Sequence, residues 1–215
     1  GRIHHGPNII HSKKPIRSIE DFKDLKLRVP GGMIAEGFAA IGAKTTLLPG
    51  GEVFSALEKG TIEAADYTGP AVNWDLGFQQ VTKYIWMGPR GLESVYQPVD
   101  LMDFCVGLAN WNKLSPKMKQ WVEDEVEVYS RVHHAAIQKA DIEAWGRFEK
   151  NGTEINRLPI EDLEKFQRVA VPIWFRWANK DKDAARIFKL QLDLMESPTL
   201  GYVEPSMYQG LKIDL

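Results

Sequence analysis

The chain has 215 residues, 44% of them hydrophobic and 26% charged, enough to fill one core or two small ones. Lys and Arg (27) nearly balance Asp and Glu (29), for a formal charge of −2. That excludes a polycationic face for nucleic acid and an acidic tail, and no apolar run approaches the roughly 18 residues a spanning helix needs.

The chain starts Gly1-Arg2-Ile3-His4-His5-Gly6-Pro7. No basic segment is followed by an apolar one, so a signal peptide is not expected in this chain, which is then either cytosolic or a mature or truncated product. Residues 1–17 read as loop or short strand, with Gly6-Pro7-Asn8 as a turn. Ser18-Ile19-Glu20-Asp21 resembles a capping box opening a short helical turn. Leu25-Lys26-Leu27-Arg28-Val29 alternates as a strand and is stopped by Pro30-Gly31-Gly32. A helix through Phe38 and Ile41 closes at Gly42, and Thr45-Thr46-Leu47-Leu48 forms the next strand. A second helix carries Val53, Phe54 and Leu57 to Gly60, and residues 62–67 return as a third strand. Strand and helix alternating at this spacing predict a parallel α/β sheet.

Leu76-Gly77-Phe78 leads into a short helix, and residues 99–109 are apolar enough for a buried strand. The single cysteine, Cys105, lies in that run and reads as a buried small hydrophobe; alone, it rules out an intrachain disulfide or a cysteine-based zinc site. From Ser115-Pro116 a long helix runs to about Lys150, with Ser as N-cap and Pro at the first helical position. Its apolar stripe comprises Met118, Trp121, Val122, Val126, Tyr129, Val132, Ala136, Ile137 and Ala140. A short strand over 153–158 precedes two helices, 160–179 (kinked or broken near Pro172) and 181–196. The tail from 197 to 215 reads as loosely packed.

Enzyme signatures are absent. His133 and His134 are adjacent, so on a helix they point about 100° apart and cannot chelate one ion together; a solvated or capping role is expected for both. His4, His5 and His11 form a loose cluster, weighed as a transition-metal site and set aside. Gly42-Ala43-Lys44-Thr45 lacks the upstream glycine of a P-loop, and no nucleophile elbow occurs.

What remains are polar residues at strand ends, where open α/β sheets bind ligands. Arg28 ends the first strand of the alternating pattern. It could clamp a carboxylate with its guanidinium fork or simply form a surface ion pair. Asp66 and Tyr67 end the third, and Asp66 is either a buried carboxylate needing a partner or a turn-initiating residue beside Gly69-Pro70.

The segment from Lys14-Pro15-Ile16 to Leu25-Lys26-Leu27-Arg28-Val29-Pro30-Gly31-Gly32 resembles the solute-binding proteins of TRAP transporters, the DctP family. So does Leu48-Pro49-Gly50-Gly51-Glu52-Val53-Phe54, continuing through Leu57-Glu58-Lys59-Gly60-Thr61-Ile62-Glu63-Ala64-Ala65-Asp66. The likeness covers roughly residues 14–195. It implies a type II periplasmic-binding-protein-like α/β fold of two lobes joined by strands and a long helix, with the N-terminal lobe largely outside this chain. Residues 1–65 would form a ligand-binding lobe, 66–98 a crossover into the other, 99–158 the return strand and lobe-spanning helix, and 159–215 C-terminal helices and tail. Function follows as periplasmic capture of a small carboxylate, without catalysis, for TRAP membrane subunits, in a homodimer formed through the C-terminal helices.

Asp66-Tyr67 before Thr68-Gly69-Pro70 is similar to the branch binding 2-oxo and 2-hydroxy monocarboxylates of the lactate and pyruvate type with a metal cation. There the resemblance implies Arg28 on the carboxylate. The cation would be held by Asp66, the main-chain oxygen of Tyr67, and Gln97 as the amide in Tyr96-Gln97-Pro98. Calcium is expected, since Asp66 adds a full charge, with sodium as the alternative. A further amide ligand would lie near the start of the chain, at Asn8 or His5. The other readings are a metal-independent acid binder, an α/β enzyme with its catalytic residues outside this chain, and a sensory or scaffold module reusing the fold.

Overall fold

The computed structural model describes residues 1–91 and 93–215. Strands β1 (Arg2–His5) and β2 (Ile9–Ser12) flank the turn at Gly6-Pro7-Asn8. Residues 1–17 therefore hold two strands, one wholly buried; four-residue runs are too short to reveal a period, although the β-branched pair Ile9-Ile10 suits a doubly covered strand. After them, Asp21 accepts bonds from the Arg17 and Ser18 amides at 2.8 and 3.0 Å, closing the 3-10 turn Ile19–Phe22.

The alternating segment follows in the expected order: β3 (Lys26–Arg28), α1 (Gly32–Ala40), β4 (Lys44–Thr46), α2 (Val53–Glu58) and β5 (Ala64–Tyr67). Gly42 and Gly60 sit at φ +99° and +73° past the two helices, a left-handed stop that a Cβ would strain. Next come α3 (Pro70–Asp75), α4 (Phe78–Val81) and β6 (Tyr84–Met87), of which α3 and β6 were not anticipated. The chain continues through β7 (Asp100–Asp103), α5 (Leu108–Trp111), α6 (Pro116–Lys150), β8 (Glu154–Arg157), α7 (Ile160–Ala178) and α8 (Lys182–Met195).

Six strands form one sheet in the order β4-β3-β5-β2-β6-β8. It is mixed rather than all parallel: β4, β3 and β5 run together, as do β6 and β8, whereas β2 opposes both neighbours. No helical crossover leads into β2; it enters directly from β1. Side chains alternate across the sheet. Ile10, Leu27, Ala64 and Trp86 join Phe22, Phe38 and Phe166 beneath α1 and α7. On the other face Ala65 packs with Val53, Leu57 and Phe78, and Ile9 and Ile85 pack with Phe148 of α6.

Two expectations about burial are corrected. The run 99–109 is not a buried strand: among the described residues β7 pairs only with β1, in a two-stranded ribbon, and Leu101, Phe104 and Val106 stay exposed, as does Cys105. Apolar content marks a strand's wish for cover, not whether a layer supplies it. On α6 the first half of the apolar stripe lies open, with Trp121 and Val132 58% and 63% exposed. This helix, about 52 Å long by its 1.5 Å rise, meets β1 and α3 and seats only Ala144 and Phe148 fully in a core. The tail is packed, not loose: Val203 is buried against α7 and α8, and Gln167 donates to the Tyr202 carbonyl at 3.1 Å.

α7 runs through Pro172 as one unbroken helix, because the burial of Val171, Ile173 and Phe175 around it holds both halves in line. At the start of α8 the Asp181 carboxylate accepts from the amides of Asp183 and Ala184 at 2.9 and 3.1 Å. Asp181→Ala is therefore expected to cost about 1 kcal/mol of stability, read as a lowered urea midpoint with unchanged slope.

Candidate functional site

The parallel strands β3 and β5 end side by side, so Arg28 and Asp66 meet at one edge of the sheet. Arg28 is only 9% exposed, which removes the surface ion pair as its role. Its Nε and Nη2 donate to the Leu48 carbonyl at 3.2 and 3.1 Å, and its Nη1 donates to the Asp66 carbonyl at 2.8 Å. A guanidinium has five N–H groups, so one remains on each terminal nitrogen, the pair that grips a carboxylate. The ring of Tyr67 lies 5.4 Å from the guanidinium carbon. That ring passes over Gly50, where a Cβ would meet its hydroxyl and push the Tyr67 side chain aside.

Asp66 is completely buried. The Tyr96 hydroxyl donates to its Oδ1 at 2.5 Å, and Oδ2 lies 3.8 Å from Arg28 with no hydrogen-bond partner among the described residues. Burial pushes the carboxyl up from 3.8 to about 7, against the opposing pull of Tyr96, Arg28 and Asn8. The turn-initiating reading fails, because such an aspartate would be solvated. Tyr96 went unrecognised as a site residue; its signal was only its place beside Gln97. Tyr96→Phe is expected to leave a buried carboxylate oxygen unbonded and to cost about 1–3 kcal/mol in denaturant unfolding.

Gln97 reaches the same edge from the other side. Its carbonyl accepts from the Asn8 amide at 3.1 Å, and its Nε2 donates to Asp100 at 2.8 Å. Of the two candidates near the start of the chain, Asn8 is the one that bears on Asp66, whereas His5 turns toward α6. The Oδ1 of Asn8 and the Oε1 of Gln97 are, like Asp66 Oδ2, buried and without a hydrogen-bond partner among the described residues. Carboxylate and amide oxygens of this kind are the donors a hard cation prefers. Among the described residues, no three His, Cys, Asp or Glu side chains are grouped to hold a metal, so any cation here relies on amide and main-chain oxygens.

Behind this edge, Asp141 of α6 accepts from the Ala71 amide at 2.8 Å. A Cβ at Gly6 or at Gly69 would come within 2.9 Å of the same carboxylate. Both glycines let the chain pass close to the long helix.

The sequence profile of the DctP family, described as bacterial extracellular solute-binding protein family 7, matches residues 3–181. The chain belongs to the DctP family. DctP-family relatives include the monocarboxylate 2-oxoacid-binding periplasmic protein of Nostoc, 28% identical over 82% of this chain and 47% of that protein. The sialic acid-binding periplasmic protein of Vibrio cholerae is 26% identical over 76% of this chain and 48% of its own length. The chain thus spans about half the length of the curated relatives it matches. A TRAP periplasmic solute-binding protein from Desulfovibrio salexigens, solved with orotic acid, superposes with a TM-score of 0.77 at 20% identity, over 88% of this chain and 60% of that one. An open, ligand-free TRAP binding protein from Rhodobacter sphaeroides gives 0.70 at 25% identity, over 93% and 62%. Family and fold are those of periplasmic solute-binding proteins, not of enzymes, and this DctP-family chain is assigned to the periplasm with them. Among the described residues no helix is long and apolar enough to cross a membrane.

Proposed function

We propose that this protein is the solute-binding subunit of a TRAP transporter and captures a small 2-oxo or 2-hydroxy monocarboxylate together with calcium. The observation that carries the reading is the trio of buried, unbonded oxygens on Asn8, Asp66 and Gln97 beside the open fork of Arg28. A 2-oxo or 2-hydroxy acid chelates a hard cation through its carboxylate and the neighbouring oxygen. The cation then neutralises Asp66, with the Tyr67 main-chain oxygen as a further ligand, while Arg28 takes the outer side of the carboxylate. Sodium would satisfy the same oxygens with half the charge. The 2-oxoacid-binding relative in Nostoc supports this choice of ligand; solved neighbours hold other acids, orotate and galacturonate among them.

The opposite wall of the cleft would come from a further lobe, consistent with relatives about twice as long. The partners would be the TRAP membrane subunits and a second copy, docked through the exposed stripe Ile187, Leu190 and Leu194 of α8.

In thermal unfolding of the complete gene product, calcium with lactate or pyruvate should raise Tm by several degrees, and a chelator should cancel the shift. No shift with any small carboxylate would overturn the reading. A shift indifferent to chelator would instead favour a metal-independent binder, for which one observation speaks: with its carboxyl raised to about 7, Asp66 can stay protonated and donate directly to a ligand oxygen.

A further inference from the structure

Away from the cleft, four imidazoles meet across the contact between β1 and α6. His4 lies against His134 with ring centroids 6.1 Å apart, and His5 lies against His133 at 5.5 Å. His11, sequence neighbour to the first pair, takes no part: it is fully buried between Phe78 and Phe148. His133 and His134 do diverge around the helix as their adjacency requires, yet neither is simply solvated. Each finds a histidine of β1 instead of the other.

The two pairs are not equivalent. His4 is committed: its Nδ1 and its backbone amide both lie 3.0 Å from the buried Ser130 hydroxyl. His5 is only 4% exposed, and its Nδ1 has no hydrogen-bond partner among the described residues; nor has the buried Nε2 of His133. Tyr129 stacks on His133 with its ring tilted by 17°, fixing that imidazole in place. Burial raises the Asp141 carboxyl, opposed by the Ala71 amide and by the nearby imidazole of His5. Two neighbouring imidazoles, each with an unsatisfied ring nitrogen in a buried place, form an expensive arrangement.

We propose that His5 and His133 form a two-imidazole clamp for a borderline divalent cation of the zinc, nickel or copper(II) class, tying β1 to α6. Imidazoles bound to one tetrahedral ion at metal–nitrogen distances near 2.1 Å place their ring centroids about 5.2 Å apart, close to the 5.5 Å found here. Nitrogen donors select these ions over calcium, whose ligands are oxygens, so the clamp and the cleft take different metals. With no third His, Cys, Asp or Glu grouped there among the described residues, water completes the shell and the affinity is modest.

Zinc titration calorimetry of the complete gene product tests this. One saturable site with a dissociation constant in the micromolar range is expected in the native protein. His133→Gln, on the half-exposed helix face, should weaken it at least tenfold, and so should His5→Gln. The calcium-and-carboxylate thermal shift should be unchanged in His133→Gln, which keeps failure of the clamp distinct from failure of the cleft. Copper(II) bound to the native protein should show two equatorial nitrogens in its electron paramagnetic resonance spectrum, a readout that needs no variant. No saturable zinc binding, binding indifferent to both substitutions, or a copper spectrum with fewer than two nitrogens would each overturn the proposal.

Discussion

Arg28→Ala is expected to raise the dissociation constant for the captured carboxylate by roughly 100- to 1,000-fold, the equivalent of about 3–4 kcal/mol for a buried, bidentate charged contact. Arg28 also ties the Leu48 and Asp66 carbonyls together, so truncation loosens the edge where β3 and β5 end. Arg28→Lys separates the two contributions. A lysine restores a positive charge near Asp66, but it cannot bond two carbonyls and still offer a planar fork. Stability should therefore recover in part with lysine while affinity does not, as read by isothermal titration beside urea unfolding. An Arg28→Lys protein that binds like the native one would sink the carboxylate role.

The second large effect concerns pH. Without a cation, burial raises the Asp66 carboxyl from 3.8 to about 7 in the folded protein. Between those values the folded state keeps a proton that the unfolded chain has already released. Stability thus declines as pH rises across that window, and the full penalty stands above pH 7. About three units at 1.36 kcal/mol each give a contribution of about 4 kcal/mol. Asp66→Asn should lack this slope, so the native and variant unfolding free energies should converge near pH 4 and separate toward pH 8. Calcium at pH 8 should restore stability to the native protein and do nothing for the variant, since an ionised carboxylate on a cation no longer suffers from burial. Parallel curves for the two proteins would show that Asp66 titrates as an ordinary surface acid.

Much of the sheet could be read from the sequence because its strands and helices punctuate themselves. Pro30-Gly31-Gly32, Gly42, Pro49-Gly50-Gly51 and Gly60 separate β3 to β5 by chemistry that is local. The placement of Arg28 and Asp66 at strand ends followed from that order. What escaped was non-local. Tyr96 touches Asp66 across thirty residues of chain, and no period or spacing connects them. Tyr84-Ile85-Trp86-Met87 forms β6 with no alternation to announce it. Asn8 belongs to the cleft edge only because β2 slots antiparallel between β5 and β6. Exposure was misjudged where the partner decides it: residues 99–109 are apolar, but the pairing of β7 with β1 covers one side alone.

The junction between β1 and β2 has a mechanical meaning. Only Gly6, Pro7 and Asn8 separate the ribbon strand from the buried strand at the middle of the sheet, a link that spans about 10 Å when fully drawn out. Proline stiffens it, Asp141 hems in Gly6, and its last residue presents an unbonded oxygen to the cleft. Such a link has almost no slack. A shift of the ribbon works on Asn8 as a short lever does, so strain applied on one side of the long helix arrives at the cation-facing edge undamped.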